Sequence, residues 1–165
     1  MSSVADLTFD DLKPGDRFTL DNCTLTREEV VAFASRYDPQ TYHLDDASAA
    51  GNPLFDRLSA SGWHTAVLMN RLVDRFFRRT AIKGLAGAGV EQLRWIEPVY
   101  PGDTLMGSLE ILAARPSRSK PDRGVVTMSV DMRNQADRPV ASMTITGIFQ
   151  RRRNQPDSVG VDTHV

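Results

Sequence analysis

Hydrophobic and polar positions along this chain switch from a helical to an alternating period, and the switch divides it into two kinds of element. Thr26-Arg27-Glu28-Glu29 places a Thr cap three positions before a Glu, the arrangement in which each side chain satisfies the other's backbone N–H. Val30, Phe33, Ala34 and Tyr37 follow at helical spacing and predict a helix with one apolar face. Pro39 stops it and biases Asp38 away from the α region, so Asp38 is expected at a helix exit, in a loop that can aim its carboxylate. A short helix is predicted from Asp45 through Ala50, capped by Asp45 or Asp46 and ended by Gly51-Asn52-Pro53. From Trp63 to about Phe77, the apolar residues Val67, Leu68, Met69, Leu72, Val73, Phe76 and Phe77 leave few polar positions. A helix apolar around so much of its circumference is buried, and this one is expected in the middle of the fold.

Beyond it the period becomes two. Glu91, Leu93 and Trp95 alternate with Val90, Gln92 and Arg94 before Pro98. Leu105, Gly107, Leu109 and Ile111 share one face of the next strand, which starts from the turn Pro101-Gly102-Asp103. Val126, Met128, Val130 and Met132 form one face of a third strand, with Thr127, Ser129, Asp131 and Arg133 opposite. A hairpin turn over Asn134 to Arg138 leads to a fourth, where Ala141, Met143, Ile145, Gly147 and Phe149 alternate with polar residues. Helices first and consecutive antiparallel strands afterwards describe an α+β domain, a curved sheet wrapped round one long helix. The domain is expected over residues 1–150, with a polar, frayed tail over 151–165.

Composition narrows the function classes. A length of 165 residues suits one domain with a sizeable core, and 41% hydrophobic with 25% charged residues is ordinary for a globular protein. A formal net charge of -1 gives no reason to expect nucleic acid or an anionic membrane as partner. No apolar run approaches the roughly 20 residues that span a bilayer. Met1 to Asp11 has acidic residues and no basic apolar leader, so a cytoplasmic protein is expected. Cys23 is the single cysteine, which excludes an internal disulfide and argues against a cysteine-based zinc site; it reads as a half-buried filler.

Candidate chemistry concentrates in Tyr37-Asp38-Pro39-Gln40-Thr41-Tyr42-His43-Leu44-Asp45. A carboxylate and an imidazole stand five positions apart, and the chain has only three histidines, the others being His64 and His164. General acid–base chemistry near neutral pH uses imidazole most often. Eighteen residues beyond His43, Ser61-Gly62-Trp63-His64 opens the apolar helix, and the free N–H groups of a helix start can hold a developing oxyanion. An acid–base pair followed by an oxyanion donor suggests chemistry on a carbonyl or thioester.

With the small-residue turn Ala60-Ser61-Gly62 and the later Glu97-Pro98-Val99-Tyr100-Pro101-Gly102-Asp103-Thr104-Leu105, these residues resemble the MaoC-like dehydratases, hot-dog-fold relatives of the (R)-specific enoyl-CoA hydratases. The family pattern Asp-x-Asn-Pro-x-His-x-Asp reads here Asp38-Pro39-Gln40-Thr41-Tyr42-His43-Leu44-Asp45, with Gln40 for Asn and Thr41 for Pro. The resemblance runs from about Leu12 to Phe149. It implies a hot-dog domain, a homodimer with the site near the shared interface, and a hydro-lyase of fatty acid metabolism that needs no cofactor. Its substrate would be a 2-enoyl-CoA or related acyl thioester. Asp38 and His43 would hold the water, the Gly62 N–H would hold the thioester oxygen, and Ser61, Trp63 and Tyr42 would contact substrate.

Plainer roles compete with these. Asp45 reads better as a helix cap than as a catalytic group. His64, in the first turn of the apolar helix, reads as structural or pocket-lining, and Tyr42 and Trp63 could simply pack. Gly84-Leu85-Ala86-Gly87-Ala88-Gly89 lacks the Lys-Ser/Thr and the following helix of a phosphate loop and is expected as the flexible start of a strand. The basic stretch Arg115 to Arg123 is expected as a solvated hairpin tip, with gripping of coenzyme A phosphates as its alternative. Two rival functions share the fold: a thioesterase, and a non-catalytic acyl-thioester binding protein. The Asp38/His43 pair argues against both, because neither needs it in this form.

Overall fold

The computed structural model describes residues 7–152. A turn of 3-10 helix (Phe9–Asp11) comes first, followed by strand β1 (Arg17–Thr24) and helices α1 (Arg27–Tyr37), α2 (Asp46–Ala50) and α3 (Gly62–Arg79). Strands β2 (Gly84–Trp95), β3 (Thr104–Pro116), β4 (Arg123–Arg133) and β5 (Pro139–Gln150) complete one antiparallel sheet of order β1-β3-β4-β5-β2. The sheet and the helix against it form the α+β architecture that the pattern predicted.

Local chemistry explains the boundaries. Thr26 accepts the Glu29 N–H at 3.2 Å while Glu29 accepts the Thr26 N–H at 3.0 Å, so both expected capping bonds start α1. Asp38 ends it outside the α region, at φ -152° and ψ 69°, before Pro39. Asp45 caps α2, accepting the Ser48 N–H at 2.7 Å, and that bond holds its carboxyl below the usual carboxylate range. At the start of β3, Asp103 accepts the Tyr100 N–H at 2.8 Å and Gly102 takes φ +92°, a conformation that glycine adopts freely.

Helix α3 buries His64, Thr65, Leu68, Met69, Leu72, Val73 and Phe76. Leu68, Met69, Leu72, Val73 and Phe76 pack with Leu105, Leu109 and Ile111 of β3 and Val126, Met128, Val130 and Met132 of β4, the strand faces that the alternation predicted. Gly107 lets the layers approach: a Cβ there would stand 2.9 Å from Leu20 Cδ1 and 3.3 Å from Leu72 Cδ1.

Several elements differ from the sequence reading. Strand β1 was not predicted; its alternation is broken by a register shift between Thr19 and Asn22, so only Leu20 of the strand is fully buried. The glycine run at 84–89 is part of β2, hydrogen-bonded to β5 through an irregular register. Tyr37, expected on the apolar face of α1, is exposed, as is Val67 on α3. Of the expected tail, Arg151 and Arg152 are held by ion pairs to Asp10 and Asp11; residues 153–165 lie outside the described residues. Among the described residues no helix is long and apolar enough to cross a membrane.

Strand β2 is an edge strand whose residues are almost all exposed. Val90 and Trp95 on it, Ile96 after it, and Trp63 and Val67 on α3 are large apolar side chains left in solvent.

Candidate active site

The exit of α1 and the start of α3 bring the sequence-predicted residues together. A turn of 3-10 helix, Thr41–His43, follows Pro39 and turns the His43 side chain inward, where it is buried. His43 Nδ1 lies 2.8 Å from the Ser59 carbonyl oxygen. A carbonyl only accepts, so Nδ1 carries the proton and donates; the neutral ring therefore has its lone pair on Nε2. That atom faces Asp38, with Oδ2 at 3.7 Å. The separation is too long for a direct hydrogen bond and is the kind of polar gap a water can bridge.

Ser61 caps α3. Its hydroxyl accepts the Trp63 N–H at 3.1 Å and donates to Asp38 Oδ2 at 2.7 Å. Gly62 is the first residue of α3, so its N–H is one of the groups that an α-helix leaves without an intrahelical partner. The helix dipole adds partial positive charge at that point.

A cavity of about 430 Å³ opens here, its wall including Tyr42, His43, Gly62, Thr65, Trp95 and Glu97. Tyr42 meets the His43 ring edge-on at 4.5 Å and stacks on Phe55 at 5.1 Å, so it both packs and lines the cavity. Asp38 is outside the wall but keeps 21% side-chain exposure beside His43. Two expected substrate contacts are placed differently. Ser61 is fully buried and meets Asp38 instead of the cavity, and Trp63 lies outside the wall, edge-on to Trp95 at 5.2 Å.

Trp95 is the residue that the sequence reading missed. Its indole N–H donates to the Gly62 carbonyl at 2.6 Å, and a Cβ on Gly62 would fall 2.6 Å from its ring. The absence of a side chain at position 62 is therefore used by the indole. Only an alternating apolar position marked Trp95 in sequence, and nothing there tied β2 to the start of α3. His64 turns away from the cavity wall and stacks on Phe33 at 4.6 Å; burial pushes its imidazole below the ordinary value of 6.5. No residue of the basic stretch 115–123 lines the cavity.

The family model described as "MaoC like domain" matches residues 11–134, more than half of the chain. The chain belongs to the MaoC-like domain family. It is similar to a solved MaoC-like dehydratase from Rhodospirillum rubrum, with 37% identity, TM-score 0.78, and coverage of 89% of this chain and 99% of that one. YdeM of Bacillus subtilis is 26% identical over 146 residues, covering 88% of this chain and 100% of that protein. The R-hydratase PhaJ1 of Pseudomonas aeruginosa shares the fold at TM-score 0.63 and 22% identity, over 92% of this chain and 96% of that one. Rv0216 of Mycobacterium tuberculosis, a double hot-dog fold, shares the fold at TM-score 0.69 and 20% identity, over 94% of this chain and 47% of that one. The MaoC-like resemblance and the hot-dog fold read from the motif both hold, and the family is one of hydratases and dehydratases in general.

Proposed function

We propose that this MaoC-like protein is a hydro-lyase that adds water to, or removes it from, a 2-enoyl-CoA or related acyl thioester in the cytoplasm. The observation that carries the reading is the Asp38–His43 pair at 3.7 Å, with the imidazole tautomer set by Ser59 and the Gly62 N–H on the same cavity. A water held between Asp38 Oδ2 and His43 Nε2 is oriented by the carboxylate and gives a proton to the imidazole as its oxygen bonds to C3. The C2–C3 π electrons move toward the thioester, whose oxygen becomes an enolate held by the Gly62 N–H. One such donor is worth about 3 kcal/mol in related oxyanion sites. The imidazolium, beside the Asp38 carboxylate, returns the proton to C2. Water is thereby added across the bond with nothing left over, and dehydration is the reverse.

The protein works in this reading as a homodimer. The exposed edge of β2 offers unpaired backbone groups, and Val67, Val90, Trp95 and Ile96 offer apolar surface beside it. Loss of the conjugated thioester absorbance of crotonyl-CoA tests the activity. Asp38→Asn and His43→Ala are each expected to cost 10²- to 10⁴-fold, the usual size of general acid–base catalysis, and the two losses are not expected to add. A variant that keeps more than about a tenth of wild-type turnover contradicts the reading. Release of free coenzyme A thiol instead of hydration would indicate a thioesterase, and binding without turnover a non-catalytic protein.

A further inference from the structure

We propose that Ser61 is a positioning residue for Asp38, tying the catalytic carboxylate to the first turn of the helix that carries the oxyanion donor. The inference rests on the acid–base reading of Asp38 and His43. Ser61 is fully buried and absent from the cavity wall, so it acts through another group. Its hydroxyl has a single proton. The Trp63 N–H can only donate, so the hydroxyl accepts from it at 3.1 Å and spends its own proton on Asp38 Oδ2 at 2.7 Å.

That oxygen is the one facing His43 Nε2 at 3.7 Å. Among the described residues, the Ser61 hydroxyl is the only hydrogen-bond donor to the Asp38 side chain. Asp38 itself sits on a helix exit, where the backbone alone leaves its carboxylate free to rotate. Ser61 removes that freedom. One hydroxyl thus fixes two parts of the site against each other: the carboxylate that orients the water and the N–H that holds the thioester oxygen. A 1 Å error between such groups can cost about 10²-fold in rate.

The test uses the full chain and crotonyl-CoA. Ser61→Ala is expected to lower kcat by about 10- to 10²-fold with KM changed less than about threefold, because the group lost does not touch substrate. Ser61→Thr, which keeps the hydroxyl, is expected to recover much of kcat. In an Asp38→Ala background, Ser61→Ala is expected to lower the residual rate by a clearly smaller factor, since only the bond to the Trp63 N–H is then lost. A merely structural cap would lower both backgrounds by the same factor, and that result overturns the proposal. So does a Ser61→Ala effect confined to KM.

Melting temperatures of the same four proteins separate this idea from the functional reading beneath it. Ser61→Ala is expected to lower the melting temperature more in wild type than in Asp38→Ala, since only the former loses the Ser61–Asp38 bond. Equal losses overturn the contact itself. A wild-type protein inert toward enoyl thioesters, with unequal melting losses, keeps the contact and overturns the catalytic use assigned to it.

Discussion

Replacing Gly62 by alanine separates the two uses of that residue, space for an indole and an N–H for an oxyanion. The added Cβ would lie 2.6 Å from Trp95 Cε2, 2.7 Å from Nε1 and 2.8 Å from Cδ2. No real side chain tolerates such distances, so the indole must move and give up its 2.6 Å bond to the Gly62 carbonyl. Losing a neutral hydrogen bond costs about 0.5–1.5 kcal/mol. Alanine in place of glycine returns up to about 1 kcal/mol of helix propensity, less in a first turn. The two nearly cancel, so stability should change by under about 1 kcal/mol, or roughly 2–4 °C in a domain of this size. The chain has only two tryptophans, Trp63 and Trp95, and they lie 5.2 Å apart here, so intrinsic fluorescence reports on this point alone. The expected result is a changed emission spectrum, a melting temperature close to wild type, and kcat/KM for an enoyl-CoA reduced by about 10²-fold. Trp95→Ala supplies the control. If the displaced indole causes the whole loss, Gly62→Ala costs nothing further in that background; if the tilted N–H causes it, the loss persists. Unchanged emission with full activity would refute the close approach and the donor role together. A strongly destabilised but fully active variant would mean that this glycine serves folding.

Two further outcomes follow from the core. Leu72→Ala removes three carbons from a fully buried side chain, about 2.4 kcal/mol of transfer free energy before any cavity term; urea unfolding at fixed protein concentration should show a loss of about 2–5 kcal/mol, and a shift under 0.5 kcal/mol would contradict the packing of α3. His64 is held below its ordinary value of 6.5 by burial, so the unfolded chain takes up a proton that the folded protein resists as pH falls through that value. His64→Phe keeps a ring on Phe33 and should flatten the loss of melting temperature between about pH 7.5 and pH 5.5; equal slopes in variant and wild type would show that His64 does not titrate as inferred.

The sequence by itself determined the local elements and the candidate residues for chemistry. The Thr26 and Glu29 reciprocal cap, the stop at Pro39, the cap at Asp45 and the Pro101-Gly102-Asp103 turn depend on residues within a few positions of one another, so the forces that set them are visible in a short window. The buried faces of β3, β4 and β5 were legible for the same reason, since one period of two selects one face. Three histidines and one Asp-x₄-His spacing left few places for acid–base chemistry. Tertiary structure decided what lies across space. The 23-residue separation of Ser61 and Asp38 hid a 2.7 Å bond, and the 33-residue separation of Trp95 and Gly62 hid the indole that fills the glycine's space. Strand β1 was illegible because its bulge breaks the alternation, and Val67 and Tyr37 because apolarity alone does not say which side of a helix meets the core. Contacts between distant segments depend on how the sheet and α3 stack, and no local pattern of residues encodes that geometry.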